Sequence, residues 1–358
     1  MKAATIEVTL SSNKKQKPNP NELSFGKVFT DHMFMMDYTE GVGWHEPRVI
    51  PYQPITLDPA SMIFHYGQTV FEGLKAYLSK DNTVLLFRPD QNMKRLNQSN
   101  NRLCIPAIDE ELVLDALKTL IATDKEWIPT AEGTSLYIRP FIISTEPYLG
   151  VAASKTYKFM IILSPVGSYY KEGINPVKIY VEDNYVRAVA GGTGKAKTAG
   201  NYAGSLIAQE QASAKGFSQV LWLDGVEKKY VEEVGSMNIF FKINGEIITP
   251  KLNESILAGV TRSSVIELLR SWDISVVERR ISIAEIYESY RNGQLEEAFG
   301  TGTAAVISPV GQLNWKEEEL VINHGETGEI ATKLYDTLTG IQTGRVADPF
   351  NWIVEVTE

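Results

Sequence analysis

The apolar positions of this chain change their period several times, and the changes mark its elements. Glu111–Ala122 carries Leu112, Val113, Ala116, Leu117, Leu120 and Ile121 at helical spacing and leaves Asp115 and Lys118 toward solvent, which predicts an amphipathic helix. Before it, a short β-like run at Val84–Phe87 leads into a polar helix expected over Gln91–Arg102, with a stop at Pro106. Ser135–Ile143 and Tyr157–Ser164 are rich in β-branched and aromatic residues and bounded by Gly or Pro, so both read as strands. Further strands are expected at Val177–Glu182, Gln219–Leu223, Lys229–Val234 and Met237–Ile243, and helices at Asn201–Lys215, ended by Gly216, and at Ser263–Trp272. Asn244-Gly245, set between Ile243 and the run Glu246–Thr249, is a strong hairpin signal.

The fold class this order implies is α/β of the α+β type, without a regular βαβα alternation and without internal repeats. A length of 358 residues suggests about two domains. The expected layout is a loose N-terminal arm at 1–24, a small α/β domain at 25–168, a linker at 169–178 overlapping the turn-rich stretch Pro165–Pro176, and a larger strand-rich domain at 179–358. Hydrophobic residues at 43% and charged residues at 22% are ordinary for a soluble globular protein. The net charge of −9 argues against a general electrostatic grip on nucleic acid or on an anionic membrane. No apolar run approaches the ~18 residues of a membrane span, the start has no signal-peptide core, and a lone cysteine gives no disulfide, so the cytoplasm is the expected compartment.

Reactive side chains are scarce, with four histidines and a single cysteine, Cys104. Gly-x-Ser-x-Gly, His-Glu-x-x-His and paired Cys or Cys/His spacings are all missing, so neither serine-hydrolase nor zinc chemistry is indicated and no metal is expected. The glycine-rich segment Ala190–Tyr202 fails the phosphate-loop pattern, because Ala196 follows Gly194-Lys195 and Val189 stands where a Gly belongs; Lys197 occupies the third glycine of a dinucleotide fingerprint. What the segment does offer is lysine in a weakly polar, glycine-bounded turn, where a desolvated amine can condense with an aldehyde. Pyridoxal phosphate matches that chemistry and makes further demands. Lys195 or Lys197 would meet the aldehyde, Tyr202 the ring oxygen, and one of Glu232 and Glu233 the pyridine nitrogen, since adjacent strand residues point to opposite faces. The turns Ala258–Thr261 and Gly300–Ala305 could present N–H groups to a phosphate or a carboxylate.

With these residues in view, the sequence strongly resembles the branched-chain amino acid aminotransferases, the fold-type-IV class of pyridoxal phosphate enzymes, from about Phe25 to Trp352. Phe71–Tyr77, Leu86–Pro89 with Asn92–Arg95, Gly133–Pro140, Gly191–Gly194 with Gly200–Tyr202, Gln219–Leu223, Glu233–Asn238 and Phe299–Ala304 match in order. The resemblance implies a two-domain enzyme with the cofactor between a smaller N-terminal and a larger C-terminal domain. It makes Lys197, not Lys195, the catalytic lysine bound to pyridoxal 5′-phosphate. It gives Glu233 the pyridine nitrogen, Tyr202 the ring oxygen, and the phosphate to Arg95 with Val260, Thr261 and Thr303. Tyr66, Phe71, Tyr137 and Arg139 would line the substrate pocket, with Thr303 and Ala304 taking the α-carboxylate. Arg88 is expected to be structural, and Arg139 has a buried structural pair as its competing role.

The implied reaction is reversible amino transfer between L-leucine, L-isoleucine or L-valine and 2-oxoglutarate by a ping-pong mechanism. The implied partners are these amino acids, glutamate and their 2-oxo acids, in a homodimer whose subunits share site residues. Sibling activities on the same fold are D-amino acid aminotransferase and aminodeoxychorismate lyase; a non-catalytic ligand-binding protein is the reading from another class. Animal members carry two cysteines just after the Thr-Gly-Thr-Ala turn, where this chain has Ala305 and Ser308, so a thiol switch there is not available.

Overall fold

A computed structural model of the chain describes residues 5–167 and 174–356. The chain divides into two units. The first holds the residues up to Tyr169 together with Ala196–Ala199 and Gly340–Glu358; the second holds Tyr170–Lys195 and Gly200–Thr339. The first half of the expected 169–178 linker lies outside the described residues, and its last two positions, Val177 and Lys178, already open a strand.

The first unit is built on β1 (Glu7–Val8), β2 (His32–Thr39), β3 (Gly43–Pro51), β4 (Thr69–Phe71), β5 (Leu74–Leu78), β6 (Val84–Phe87), β7 (Ser135–Ser144) and β8 (Thr156–Val166), with helices α1 (Met62–Tyr66), α2 (Pro89–Arg102) and α3 (Glu110–Thr123). Its sheet runs β1-β3-β2-β8-β7-β5-β6, and β4 pairs with β7. Asp109 caps α3 by accepting from the N–H groups of Glu111 and Leu112 at 3.0 and 3.1 Å, and Val113, Ala116, Leu117, Leu120 and Ile121 are buried. That stripe packs into one core with Leu136, Ile138 and Ile142 of β7. Strand alternation therefore turns Tyr137 and Arg139 to the other face of the sheet.

The N-terminal arm is tied down rather than loose. β1 pairs parallel with β3, the Ser11 N–H donates to His32 Nε2 at 2.8 Å, and the Lys15 N–H donates to Asp31 Oδ1 at 2.9 Å. His32 is buried, its Nδ1 lying 2.6 Å from Asp124 Oδ1. Buried side chains thus accept the arm's backbone donors, which composition alone does not reveal.

The second unit contains β9 (Val177–Glu182), β10 (Gln219–Leu223), β11 (Val231–Val234), β12 (Asn238–Ile243), β13 (Glu246–Pro250), β14 (Val276–Arg279), β15 (Leu295–Gly302), β16 (Val306–Trp315) and β17 (Glu318–Val321). Its sheet runs β11-β10-β9-β16-β15-β12-β13-β14, with β17 on β16. Helices α5 (Leu206–Ala214), α6 (Val260–Ser271) and α7 (Ile283–Arg291) belong to it, while α4 (Ala199–Ala203) begins and α8 (Glu329–Gln342) ends in residues of the first unit. The helix expected over Asn201–Lys215 is divided between α4 and α5. At the break, Gly204 weakens the helix and Ser205 bonds back to the Tyr202 carbonyl through both Oγ (2.8 Å) and N–H (3.1 Å). The chain finally returns to the first unit, where β18 (Ile353–Val356) pairs antiparallel with β6. Among the described residues no helix is long and apolar enough to cross a membrane.

Candidate active site

In the first unit, Lys197 is fixed through its backbone. Its N–H donates to Ser99 Oγ at 2.9 Å, its carbonyl accepts the Phe71 N–H at 3.0 Å, and the neighbouring Thr198 Oγ1 donates to the Thr69 carbonyl at 2.7 Å. The segment is thereby laced to β4, and Lys197 Nζ stands 5.1 Å from the centre of the Phe71 ring. Lys195 has a different setting: it belongs to the second unit, is half exposed, and lies 3.6 Å from Glu254 Oε1.

Ser99 sits on the same face of α2 as Arg95 and Asn92, at helical spacings of four and three. Arg95 is buried and meets Glu72 side-on, with Nε 2.7 Å from Oε1 and Nη2 2.8 Å from Oε2. Asn92 Nδ2 donates to the same Oε2 at 2.8 Å. Burial pushes the Glu72 carboxyl up, but the charges of Arg95 and Lys197 and the donated hydrogen bonds outweigh it and hold the carboxyl below its ordinary range.

On the opposite face of β7, Arg139 Nη2 donates to Tyr137 Oη at 2.9 Å, and the guanidinium lies 4.8 Å from the Phe71 ring centre and 5.3 Å from that of Tyr137. Its Nε is buried with no hydrogen-bond partner among the described residues. Among the described residues the contacts of Arg139 are thus with rings and a phenol, not with the carboxylate of a structural pair. Tyr66, at the end of α1, is 40% exposed and directs its hydroxyl to the Leu149 carbonyl and its ring to His65. Arg88 precedes α2 in a left-handed conformation, φ 48°, and lies over the Trp352 ring at 5.1 Å, a structural setting.

In the second unit, Glu233 on β11 is buried, lies 3.3 Å from Arg187 Nη2 and accepts the Leu257 N–H at 2.7 Å. Glu232 points the other way, to Asn253 Nδ2 at 3.3 Å and to Ser255 Oγ, and its Oε2 is buried without a partner among the described residues. The glycine-rich segment is pinned rather than free. Thr193 Oγ1 donates to Asn201 Oδ1 at 2.7 Å and Asn201 Nδ2 returns a bond to the Thr193 carbonyl at 2.9 Å, holding the loop against α4, which carries half-buried Tyr202.

Val260 and Thr261 open α6, whose N-terminus has no side-chain cap. Gly259 precedes them where a Cβ would run into Asn238 Oδ1, so a larger residue would displace the turn. Thr303 and Ala304 form the half-buried turn between β15 and β16.

Glu72, Asn92, Ser99 and Arg187 escaped sequence reasoning. The spacing of Asn92, Arg95 and Ser99 on one helix was the available signal for two of them; nothing local marks Glu72 or Arg187, whose partners lie far away in sequence. Among the described residues no cluster of three or more His, Cys, Asp or Glu could hold a metal ion.

Comparison with known proteins agrees with this chemistry. Residues 69–313 match the model of amino-transferase class IV. Branched-chain-amino-acid aminotransferase 2 of Bacillus subtilis (strain 168) is 72% identical over 99% of this chain and 98% of its own length. Branched-chain-amino-acid transaminase 1 of the same organism is 63% identical over 96% of each. Among solved structures, the branched-chain amino acid aminotransferase of Escherichia coli superposes with a TM-score of 0.76 at 25% identity, over 91% of this chain and 99% of that one. The branched-chain amino acid aminotransferase of Thermoproteus uzoniensis, crystallised with norvaline, gives 0.75 at 25%, over 90% and 100%. Another enzyme of that name, crystallised with pyridoxamine 5′-phosphate, gives 0.75 at 28%, over 90% and 98%. A family match over most of the chain and a relative of such identity along nearly its whole length place this chain in amino-transferase class IV, among the branched-chain-amino-acid aminotransferases.

Proposed function

We propose that the protein transfers the amino group reversibly between L-leucine, L-isoleucine or L-valine and 2-oxoglutarate, in two half-reactions, with pyridoxal 5′-phosphate as its cofactor. The observation that carries this reading is the anchorage of Lys197 by hydrogen bonds on both sides of its Cα. A lysine that must tether an aldehyde and then move a proton has to return its amine to one place, and a fixed backbone achieves that.

The donor set fits the cofactor. Lys197 would tether it and Tyr202 would meet the ring oxygen. Glu233, buried and oriented by Arg187 and the Leu257 N–H, would meet the ring nitrogen. Arg95 with Val260, Thr261 and Thr303 would hold the phosphate, helped by the uncapped helix N-terminus. When bound, the cofactor supplies an electrophile and an electron sink that acidifies the Cα–H of the amino acid. Lys197 is then the general base that removes the Cα proton. Phe71 gives an apolar wall for the branched side chain, with Tyr66 and Tyr137 as further lining, and Arg139, stacked on Phe71, offers a cation to the distal carboxylate of glutamate. The backbone N–H groups of Thr303 and Ala304 receive the α-carboxylate.

The same reading includes a homodimer in the cytoplasm acting on small molecules. Phe64, Tyr66, Tyr148, Leu149 and Val151 are exposed large hydrophobics. Their two segments are joined by bonds from Met62 N–H to the Glu146 carbonyl and from Tyr148 N–H to the Ala60 carbonyl, at 3.0 and 3.1 Å. Such a patch suits self-association and would let Tyr66 serve a neighbouring subunit.

Lys197→Ala should abolish both the visible absorbance of the tethered cofactor and the half-reaction with L-leucine, read by spectroscopy on the purified protein. A variant that keeps both overturns the assignment, and a wild-type protein that prefers D-alanine to L-leucine overturns the substrate class.

A further inference from the structure

Glu72 is the most deeply buried charged side chain among the described residues, at 0% exposure. It is also heavily served: Arg95 gives it two hydrogen bonds, Asn92 Nδ2 one, and the Gly73 N–H a fourth at 3.2 Å. It follows Phe71 directly, and the alternation of extended backbone sends Phe71 toward Lys197 and Glu72 toward α2. The side-on pair engages Nε–H and one Nη2–H of Arg95, so the plane of the guanidinium is set. One helical turn along the same face, Ser99 accepts the Lys197 N–H.

We propose that Glu72 is a positioning residue for phosphate recognition: it holds the Arg95 guanidinium in the orientation that receives the cofactor's phosphate, and the shared face of α2 keeps that grip in register with Lys197. The proposal rests on the assignment of Arg95 to the phosphate made above and deepens it. An arginine on a flexible stem would have to be frozen by each ligand it binds; one already locked by a buried carboxylate pays that ordering cost at folding. Glutamine cannot replace Glu72, because its amide turns a donor toward Asn92, Gly73 or Arg95 where the carboxylate accepts.

The test compares binding of pyridoxal 5′-phosphate with that of pyridoxal, which lacks the phosphate, to the full-length protein stripped of cofactor. Glu72→Gln should weaken pyridoxal 5′-phosphate roughly 10- to 100-fold, the range for hydrogen bonds to a charged group, while pyridoxal shifts by less than about 3-fold. Glu72→Asp should fall between Gln and wild type. If the Gln variant does not fold, Asn92→Ala, which strips one donor from Oε2 and leaves both charges, should still produce a few-fold loss confined to the phosphorylated ligand. Equal losses for both ligands, or wild-type affinity for the phosphorylated one, overturn the role of Glu72. Arg95→Ala separates the two levels: a loss without preference for the phosphorylated ligand overturns the assignment of Arg95 itself.

Discussion

Lys75 lies across from Tyr137 in the β5–β7 pairing, on the sheet face that also carries Arg139, and burial pushes its ammonium down from 10.5 to about 8. Between about pH 8 and 10.5 the unfolded chain holds a proton at Lys75 that the folded chain has released. Stability from this group therefore rises with pH across that window, with a slope of at most about 1.4 kcal/mol per pH unit. Lys75→Met should remove that slope, read from urea midpoints taken from pH 7 to 10; an unchanged slope would place the titration elsewhere. At this scale residue types offered candidates for a cofactor's demands, Lys195 or Lys197, Tyr202, and Glu232 or Glu233, and only the resemblance chose among them. The sequence did not disclose what orients them. Arg187 and Glu72 become partners of Glu233 and Arg95 only after the chain has folded.

Elements were legible where one period ran unbroken between stop signals. β9 and β10 have the limits the pattern predicts, and α3 and β7 extend a residue or so beyond theirs. The hairpin between β12 and β13 is closed by Asn244 and Gly245 at φ 50° and 78°, with Ile243 opposite Glu246. Gly245→Val puts a β-branched residue in the left-handed region and should cost about 1–2 kcal/mol, measurable as a lowered denaturant midpoint with an unchanged slope. Gly245→Asn should cost less, since Asn tolerates that conformation. β2 was missed for a physical reason: Met33, Phe34, Met35 and Met36 are all buried, so the run shows no alternation. The break between α4 and α5 turns on side-chain bonding by Ser205, which a hydrophobic pattern does not record.

For the whole molecule, the exposed apolar patch around α1 and Tyr148–Val151 is the surface that the proposed homodimer would bury. Sedimentation should find the wild-type protein as a dimer, and Phe64→Glu with Leu149→Glu should shift it toward monomer with loss of transamination. A monomer of full activity would refute the shared site. The membership of Ala196–Ala199 and Gly340–Glu358 in the first unit was not legible in the sequence. Local pattern cannot report which distant strand a four-residue segment will join.

That last segment has a bearing on how the protein is made. β18 covers the edge left by β6, with Trp352 buried against Phe87 and Phe350 at ring distances of 5.5 and 4.2 Å. Translation delivers these residues only after the whole of the second unit. The first unit, though made early, leaves an unpaired strand edge and an uncovered aromatic surface while the second is being synthesised. Its sheet is completed only once β18 has cleared the ribosome, so a chain cut short before Trp352 would leave an early-made part of the molecule unfinished.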